Sequence, residues 1–263
     1  MLDQDEPLHA RAQKMISKDN NLDIRYEGNA VLWQGADRLE ADTVEIDRDN
    51  DLLKAHGHVL SQLLDKTKDE NAAKSDSKSR DPAPKKQDPA PKSPAKAELA
   101  AKGPATATTP PKAAAGATKP SLRVFTIVRA PDLDYNDDTR VAHYSGGATL
   151  ERSNMIVKGQ DIHAYLRNDS NDSSLDHATA DGHVEVHEAA VDRTREAWSD
   201  HAEYYVDEDK VILEGGQPRF NDSTRGTTRG QKLTWYSSED RLLINGEAQQ
   251  PVKSLLHKKT AAK

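Results

Sequence analysis

Apolar and polar residues alternate one by one along most of this chain, and the alternation restarts at a fixed pitch. A small residue is followed sixteen positions later by a glycine: Ala12 to Gly28, Ala41 to Gly57, Ala130 to Gly146, Ser199 to Gly215 and Gly230 to Gly246. A sixth copy, Gly159 to Gly182, is stretched by a polar insert around Asn168 to Ser174. Two and four residues before the closing glycine stand pairs such as Ile24/Tyr26, Ala142/Tyr144, Val211/Leu213 and Leu242/Ile244. Two and four after it stand Ala30/Leu32, Val59/Ser61, Ala148/Leu150, Val184/Val186 and Ala248/Gln250. Period-2 alternation marks half-buried antiparallel strands, because successive side chains of a strand point to opposite faces. A helix would need apolar residues at spacings of three and four, which these windows lack.

A second alternating stretch opens each copy: Val44/Ile46, Leu133/Tyr135, Ile162/Ala164, Ala202/Tyr204 and Leu233/Trp235. Polar turns follow, at DRDND (47–51), NDDT (136–139), DED (207–209) and SSED (237–240). Asp, Asn and Ser favour turns because their side chains bond nearby backbone. One repeat therefore reads as strand, tight turn, strand. The glycine in the second strand predicts a bulge, a bend or a close backbone approach. Six copies predict an all-β fold of roughly twelve short strands, an antiparallel β-jelly-roll or sandwich of repeated hairpins.

Composition changes this picture in one place. Residues 66–122 hold nine of the thirteen prolines, diluted by Lys, Ala and Ser, with 12 Lys/Arg against 6 Asp/Glu. Such a segment cannot bury enough apolar surface to fold, and reads as disordered with a polyproline bias. It carries about +6, so the remainder carries about −13 of the net −7. Removing it leaves about one normal repeat between Gly57 and Gly146, which favours an insertion over a boundary between two modules. Lengthening a ~5-residue turn to ~57 residues costs only about 2 kcal/mol of loop-closure entropy. The expected organisation is a β body in two parts, 1–65 and 123–252, with an insertion at 66–122 and a flexible basic tail at 253–263.

The chain has no cysteine, which removes disulfide frameworks and thiolate metal sites. It has no apolar run long enough for a transmembrane helix. Its first residues, MLDQDEPLHARAQ, are polar and unlike a signal peptide, and the first repeat starts inside its own first strand. A targeting segment is accordingly expected to have been lost upstream.

Candidate chemistry is sparse. His183, Glu185 and His187 share one strand face, as a surface metal site would want, but Val184 and Val186 take the inner face, so the histidines are expected in solvent. The acidic clusters fall where turns must be, and none has the ligand spacing of an EF-hand loop. No G-x-S-x-G elbow, thiol nucleophile or phosphate-cradling glycine loop occurs, so no catalytic residue, cofactor or metal is expected. The basic insertion lacks interleaved aromatics, which argues for a solubilising tether and against nucleic acid. The aromatics are the better lead. Tyr26, Tyr135, Tyr144, Tyr204, Phe220 and Trp235 all fall on inward positions, where they serve either as ordinary core or as the lining of an apolar groove.

The stretches ADTVEIDRDNDLLKAHGHV (41–59), APDLDYNDDTRVAHYSGGATL (130–150), DHAEYYVDEDKVILEGGQPRF (200–220) and GQKLTWYSSEDRLLINGEA (230–248) resemble the OstA-like family of lipopolysaccharide-transport proteins. That family includes LptA, LptC and the N-terminal domain of LptD. The resemblance covers about 190 residues, everything but the insertion and the tail. It implies a jelly-roll of stacked hairpins in the periplasm, open along one side, holding the acyl chains of lipid A and joining its neighbours edge to edge. Each acyl CH₂ moved from water into such a groove gains about 0.8 kcal/mol, so no catalytic group is required. On this reading the groove is lined by Tyr135, Tyr144, Leu150, Val186, Tyr204, Leu213, Phe220, Trp235 and Ile244. The pairing edges are the first strand near Ala10–Ile16 and the last near Arg241–Ala248, with other family members or a second copy as partner. The family spreads its lipid contacts along the groove, so no single residue is diagnostic, and the insertion is not a standard feature. Two other readings compete: a β-solenoid scaffold with a dry interior that assembles through strand edges, and a carbohydrate-active β-helix enzyme. The latter needs an acidic pair on one exposed sheet face, and no consistent pair is found.

Overall fold

A computed structural model describes residues 7–65, 124–167, 174–246 and 251–257. The disorder expected of 66–122, most of the polar insert, the inward pair Ala248/Gln250 and the tail beyond His257 lie outside the described residues. The described part is almost entirely antiparallel β-structure, with one short 3-10 turn at Asp19–Asn21.

Eighteen strands form one hydrogen-bonded network. In chain order they are β1 (His9–Arg11), β2 (Lys14–Lys18), β3 (Asp23–Gln34), β4 (Asp37–Asp47), β5 (Leu52–Asp65), β6 (Val124–Asn136), β7 (Val141–Ser145), β8 (Ala148–Arg152) and β9 (Met155–Gly159). They continue as β10 (Asp161–Leu166), β11 (Leu175–Ala189), β12 (Thr194–Tyr205), β13 (Lys210–Glu214), β14 (Arg219–Asp222), β15 (Gly226–Arg229), β16 (Lys232–Tyr236), β17 (Arg241–Asn245) and β18 (Lys253–Leu256). Strands are more numerous than the hairpin count predicts, and six of them run eleven to fifteen residues. The closing glycine explains both departures. In β3, β5 and β11 it bends a continuous strand at a register shift. At Gly146 and Gly215 it ends one strand, and a new one starts in the facing ladder.

The network resolves into two ladders. The first runs β2, β3, β4, β5, β6, β7, β10, β11, β12, β13, β16 and β17, using the halves of the long strands nearest the turns at 48–51, 137–140, 206–209 and 237–240. The second uses the other halves and runs from β1 through β8, β9, β14 and β15 to β18. The bends lie along one side and the hairpin turns along the other. Successive turns are tied by backbone bonds, Asp137 N–H to the Asp51 carbonyl and Ser237 N–H to the Asp209 carbonyl, both 2.9 Å.

At the bend, backbone geometry dictates the residue. Gly57 has φ +77 and is followed by His58 at φ +50, both left-handed. A Cβ on Gly57 would lie 2.9 Å from the Cβ of Asp42 in the neighbouring strand. Glycine meets both demands, since it adopts positive φ freely and lets backbone approach closely. The same crossing recurs, with Gln13 beneath Gly28, Pro131 beneath Gly146, Gln160 beneath Gly182 and Asp200 beneath Gly215. In each case the residue beneath directly follows the first residue of the copy, so the sixteen-residue pitch is the register of this crossing.

Strands β5 and β6, which flank the insertion, pair along nearly their whole length, from Leu52↔Asn136 to Asp65↔Val124. The described residues on either side of the insertion cluster as one unit. The inward faces of both ladders meet in one apolar core of Ala, Val, Leu and Ile with a few aromatics. Lys253–Leu256 departs from the tail expected there: it forms β18 and extends the second ladder beyond β15. The sequence hides it because KSLL is four residues long and all four are exposed, so no buried alternation marks it.

Candidate functional site

Strand parity puts all nine expected lining residues on the inner side. Tyr135, Tyr144, Tyr204, Leu213, Trp235 and Ile244 come from the first ladder, and Leu150, Val186 and Phe220 from the second. Eight are buried to 5% exposure or less, and Ile244, on terminal strand β17, packs against the core while partly exposed. They do not converge on one pocket. Phe220 and Trp235 meet across the ladders edge-to-face at 5.1 Å. The others are spread along the body, separated by small residues such as Ala142, Ala178, Ala197 and Ala202. The interior is thus filled by the protein's own side chains. A small apolar recess of ≈ 20 Å³ opens near the N-terminal end, lined by Leu53 of the first ladder, Leu32 and Leu39 of the second, and Leu8 just before β1.

The tyrosines differ in how their hydroxyls are satisfied. Tyr135 donates to Asp137 at 2.6 Å, and burial together with that carboxylate pushes its pKa well above the ordinary phenol value. Tyr144 is fully buried and its pKa is pushed up to about 12 by burial. The nearby Ser61 hydroxyl works against that rise, although the two hydroxyls are not in normal hydrogen-bond geometry and neither has another partner among the described residues. Burial also raises Tyr204, and the Arg152 guanidinium, 3.2 Å from its hydroxyl, works against that rise.

Charged groups inside the turn side were not anticipated. Arg152 of the second ladder reaches Asp65 (2.9 Å) and, across the interior, Tyr204 of the first. Thr126 donates to the same Asp65 oxygen at 3.0 Å. Farther along, Arg195 on β12 pairs with Glu188 on β11 (2.7 Å) and with Asp240 in the turn between β16 and β17. Arg193 and Arg225 also reach Asp240, and Ser237 from the same turn donates to Glu188. Asp222 on β14 lies 3.5 Å from Arg195 and 3.7 Å from Arg193. Burial raises the pKa of Asp222. Bonds from the Thr224 hydroxyl and the Thr224 and Arg225 amides, with the charge of Arg193, outweigh that effect and hold it below the usual carboxylate value. The signal for these residues was present: Asp65 shares parity with Val59, Ser61 and Leu63, and Glu188 with Val184 and Val186. A charge at an inward position is the informative exception to strand alternation.

The outer face holds the histidines. His183 and Glu185 are exposed and His187 half-buried, with Val184 and Val186 inward. His143 and His163 stack across neighbouring strands with ring centres 4.2 Å apart. Among the described residues no group of three or more His, Asp or Glu is arranged to hold a metal ion, and no helix is long and apolar enough to cross a membrane.

Comparison with known proteins gives three findings. The model of a family described as LptA/(LptD N-terminal domain) LPS transport protein matches residues 9–113 and 127–241. No curated protein matches the sequence. Among solved structures, the chain is similar to LptH of Pseudomonas aeruginosa, the LptA-homologous periplasmic component of the lipopolysaccharide transport device. That similarity has a TM-score of 0.45 at 15% identity, over 51% of this chain and 95% of the other.

Proposed function

The chain belongs to the LptA/LptD N-terminal domain family of lipopolysaccharide-transport proteins, and from that premise we propose that it is a non-enzymatic periplasmic bridge that binds lipopolysaccharide between its two ladders. The observation that carries this reading is an apolar interior running the length of two ladders whose end strands are open. Within the described residues β1 and β2 pair only with β3, β17 only with β16 and β18 only with β15. Unpaired edges are templates for strand addition. Exposed apolar side chains accompany them, Met15 at one end and Leu243, Leu255 and Leu256 at the other. Another family member or a second copy would continue both ladders, and acyl chains would pass along the joined interior. Because that interior is packed, a chain enters by parting the ladders, each buried CH₂ contributing about 0.8 kcal/mol toward the contacts displaced.

The same packing favours the second reading, a scaffold that assembles through its edges without lipid. Photo-crosslinking in cells separates the two. The reactive residue goes at Tyr26 and Ile244, half-buried inward positions that tolerate a larger side chain, and at their outward neighbours Arg25 and Leu243. Lipopolysaccharide adducts at the inward pair alone are expected. A folded, periplasmic protein with no adduct at either inward position would leave the scaffold.

A further inference from the structure

The six charged residues gathered on the turn side of the C-terminal repeats pose a physical question. Burying ions costs several kcal/mol each, and a well-packed apolar seam of equal volume is generally as stable or more so. Yet Glu188, Arg195 and Asp222 have side chains only 3–4% exposed. All three belong to the second ladder, while Ser237 and Asp240 belong to a turn of the first. The bonds from Ser237 to Glu188 and from Arg193, Arg195 and Arg225 to Asp240 therefore join one ladder to the other. The cluster is balanced, three arginines against three carboxylates, and it covers the interior directly. The Arg195 guanidinium sits 5.5 Å from the centre of the buried Trp235 ring. One interior donor, Arg193 Nε, is buried without a hydrogen-bond partner among the described residues. The Asp65–Arg152–Tyr204 contact spans the ladders in the same way farther toward the N-terminus. Among the other ion pairs, those between neighbouring strands on the outer face, such as Arg129–Glu151, are far more exposed.

We propose that the Glu188–Arg195–Asp240 cluster is a reversible latch that holds the ladders shut over Trp235 and sets how fast an acyl chain enters the C-terminal half of the interior. The proposal rests on the lipid-binding reading above. An apolar seam would compete with the acyl chain for the same surface, and opening it would expose that surface to water. An ionic seam behaves differently. Once parted, its charges regain hydration at the rim, and the apolar walls behind them are left to the ligand. A single shared acceptor makes the closure cooperative, because withdrawing the 237–240 turn breaks the three arginine contacts to Asp240 and the Ser237 bond together.

The test uses the full chain with Trp33 and Trp198 changed to Phe, so that Trp235 reports alone. Two latch variants are compared with this parent: Glu188→Gln/Arg195→Met/Asp240→Asn, which neutralises three of the six charges at similar volume, and the milder Asp240→Asn, which alters only the shared acceptor. An outer-face control is Arg129→Met/Glu151→Gln. Acrylamide quenching of Trp235 without ligand reads opening, and stopped-flow fluorescence of a dansyl-labelled undecanoic acid reads entry. Both latch variants are expected to quench more readily than parent and control, and to bind the probe about tenfold faster, equivalent to about 1.4 kcal/mol. Unchanged quenching and unchanged entry in both variants, with the parent still binding probe, would overturn the latch and leave the lipid reading standing. Increased quenching without probe binding by any protein would uphold the closure, reject its role in lipid entry and count against the lipid reading itself.

Discussion

Replacing Gly57 by Ala tests whether the sixteen-residue pitch is set by a crossing of strands or by backbone conformation alone. Gly57 and Gly147 both stand at bends with positive φ, +77 and +97, so an L side chain at either is strained by about 1–2 kcal/mol. The surroundings differ. A Cβ at Gly147 meets nothing within 4 Å, whereas one at Gly57 meets Asp42, 2.8 Å from its Cγ and 2.9 Å from its Cβ. The Cβ is fixed to the neighbouring strand and cannot swing away as a carboxylate can, so strands must shift, which costs about 1–3 kcal/mol more. Gly147→Ala should therefore cost about 1–2 kcal/mol and Gly57→Ala about 2–5 kcal/mol in urea unfolding followed by tryptophan fluorescence. In a double-mutant cycle, Asp42→Gly removes the obstructing Cβ and should recover the steric part of the Gly57→Ala loss, a coupling of about 1–3 kcal/mol. Asp42→Gly also loses the exposed contact to His58 at 2.9 Å, which the cycle subtracts. Equal costs for the two alanine variants, or additivity within about 0.5 kcal/mol, would refute the crossing as the origin of the pitch.

The interior and the outer face supply the remaining predictions. Tyr144→Phe removes a fully buried hydroxyl whose neighbour, the Ser61 hydroxyl, is not in hydrogen-bonding geometry, so it should be neutral or stabilising by up to about 1–2 kcal/mol; a loss beyond 1 kcal/mol by the same assay would reveal a bond between the two hydroxyls. On the outer face His201 and His163 should titrate on opposite sides of 6.5 when followed by NMR. Burial works against the charged form of His201, but the Asp181 carboxylate at 2.7 Å and Glu203 more than offset it and raise its pKa. Burial and the stacked His143 lower that of His163. A raised histidine contributes stability that is fully present below its unfolded pKa and fades as pH rises through the folded one. His201→Gln should therefore cost more at pH 5.5 than at pH 8, by at most ~1 kcal/mol for so exposed a pair. Equal costs at both values would show that the Asp181 contact does not form in solution.

Much of this molecule is readable from strand parity, because the side-chain period of a strand is two and every copy restarts at a glycine. Parity puts Tyr204, Leu213 and Trp235 inside and His183 and Glu185 outside, and the structure agrees at each. Parity does not count strands. Whether a glycine bends a strand, as at Gly57, or ends it, as at Gly146 and Gly215, does not follow from the residue beneath it, since an Asp lies beneath both Gly57 and Gly215; the strands end where a second glycine follows. Nor does parity find β18, whose four residues are exposed and whose pairing with β15 is long-range.

The charged inward residues mark where reading by pattern alone stops. Asp65, Glu188 and Arg195 each break the apolar alternation of their strands, and taken singly each looks like a strand end drifting into solvent. What makes them interior is the partner supplied from elsewhere: Arg152, eighty-seven residues from Asp65, and the 237–240 turn, about fifty residues from Glu188. Such pairs add little net stability once desolvation is counted, so the fold does not need them in the way it needs Leu213 or Trp235. They occur where one ladder can be held to the other, on the side opposite the glycine bends. A body hinged by bends along one side and joined by ion pairs along the other is closed at two kinds of seam. The ionic one gives up less apolar surface to water when it opens, which is why the proposed latch is placed there.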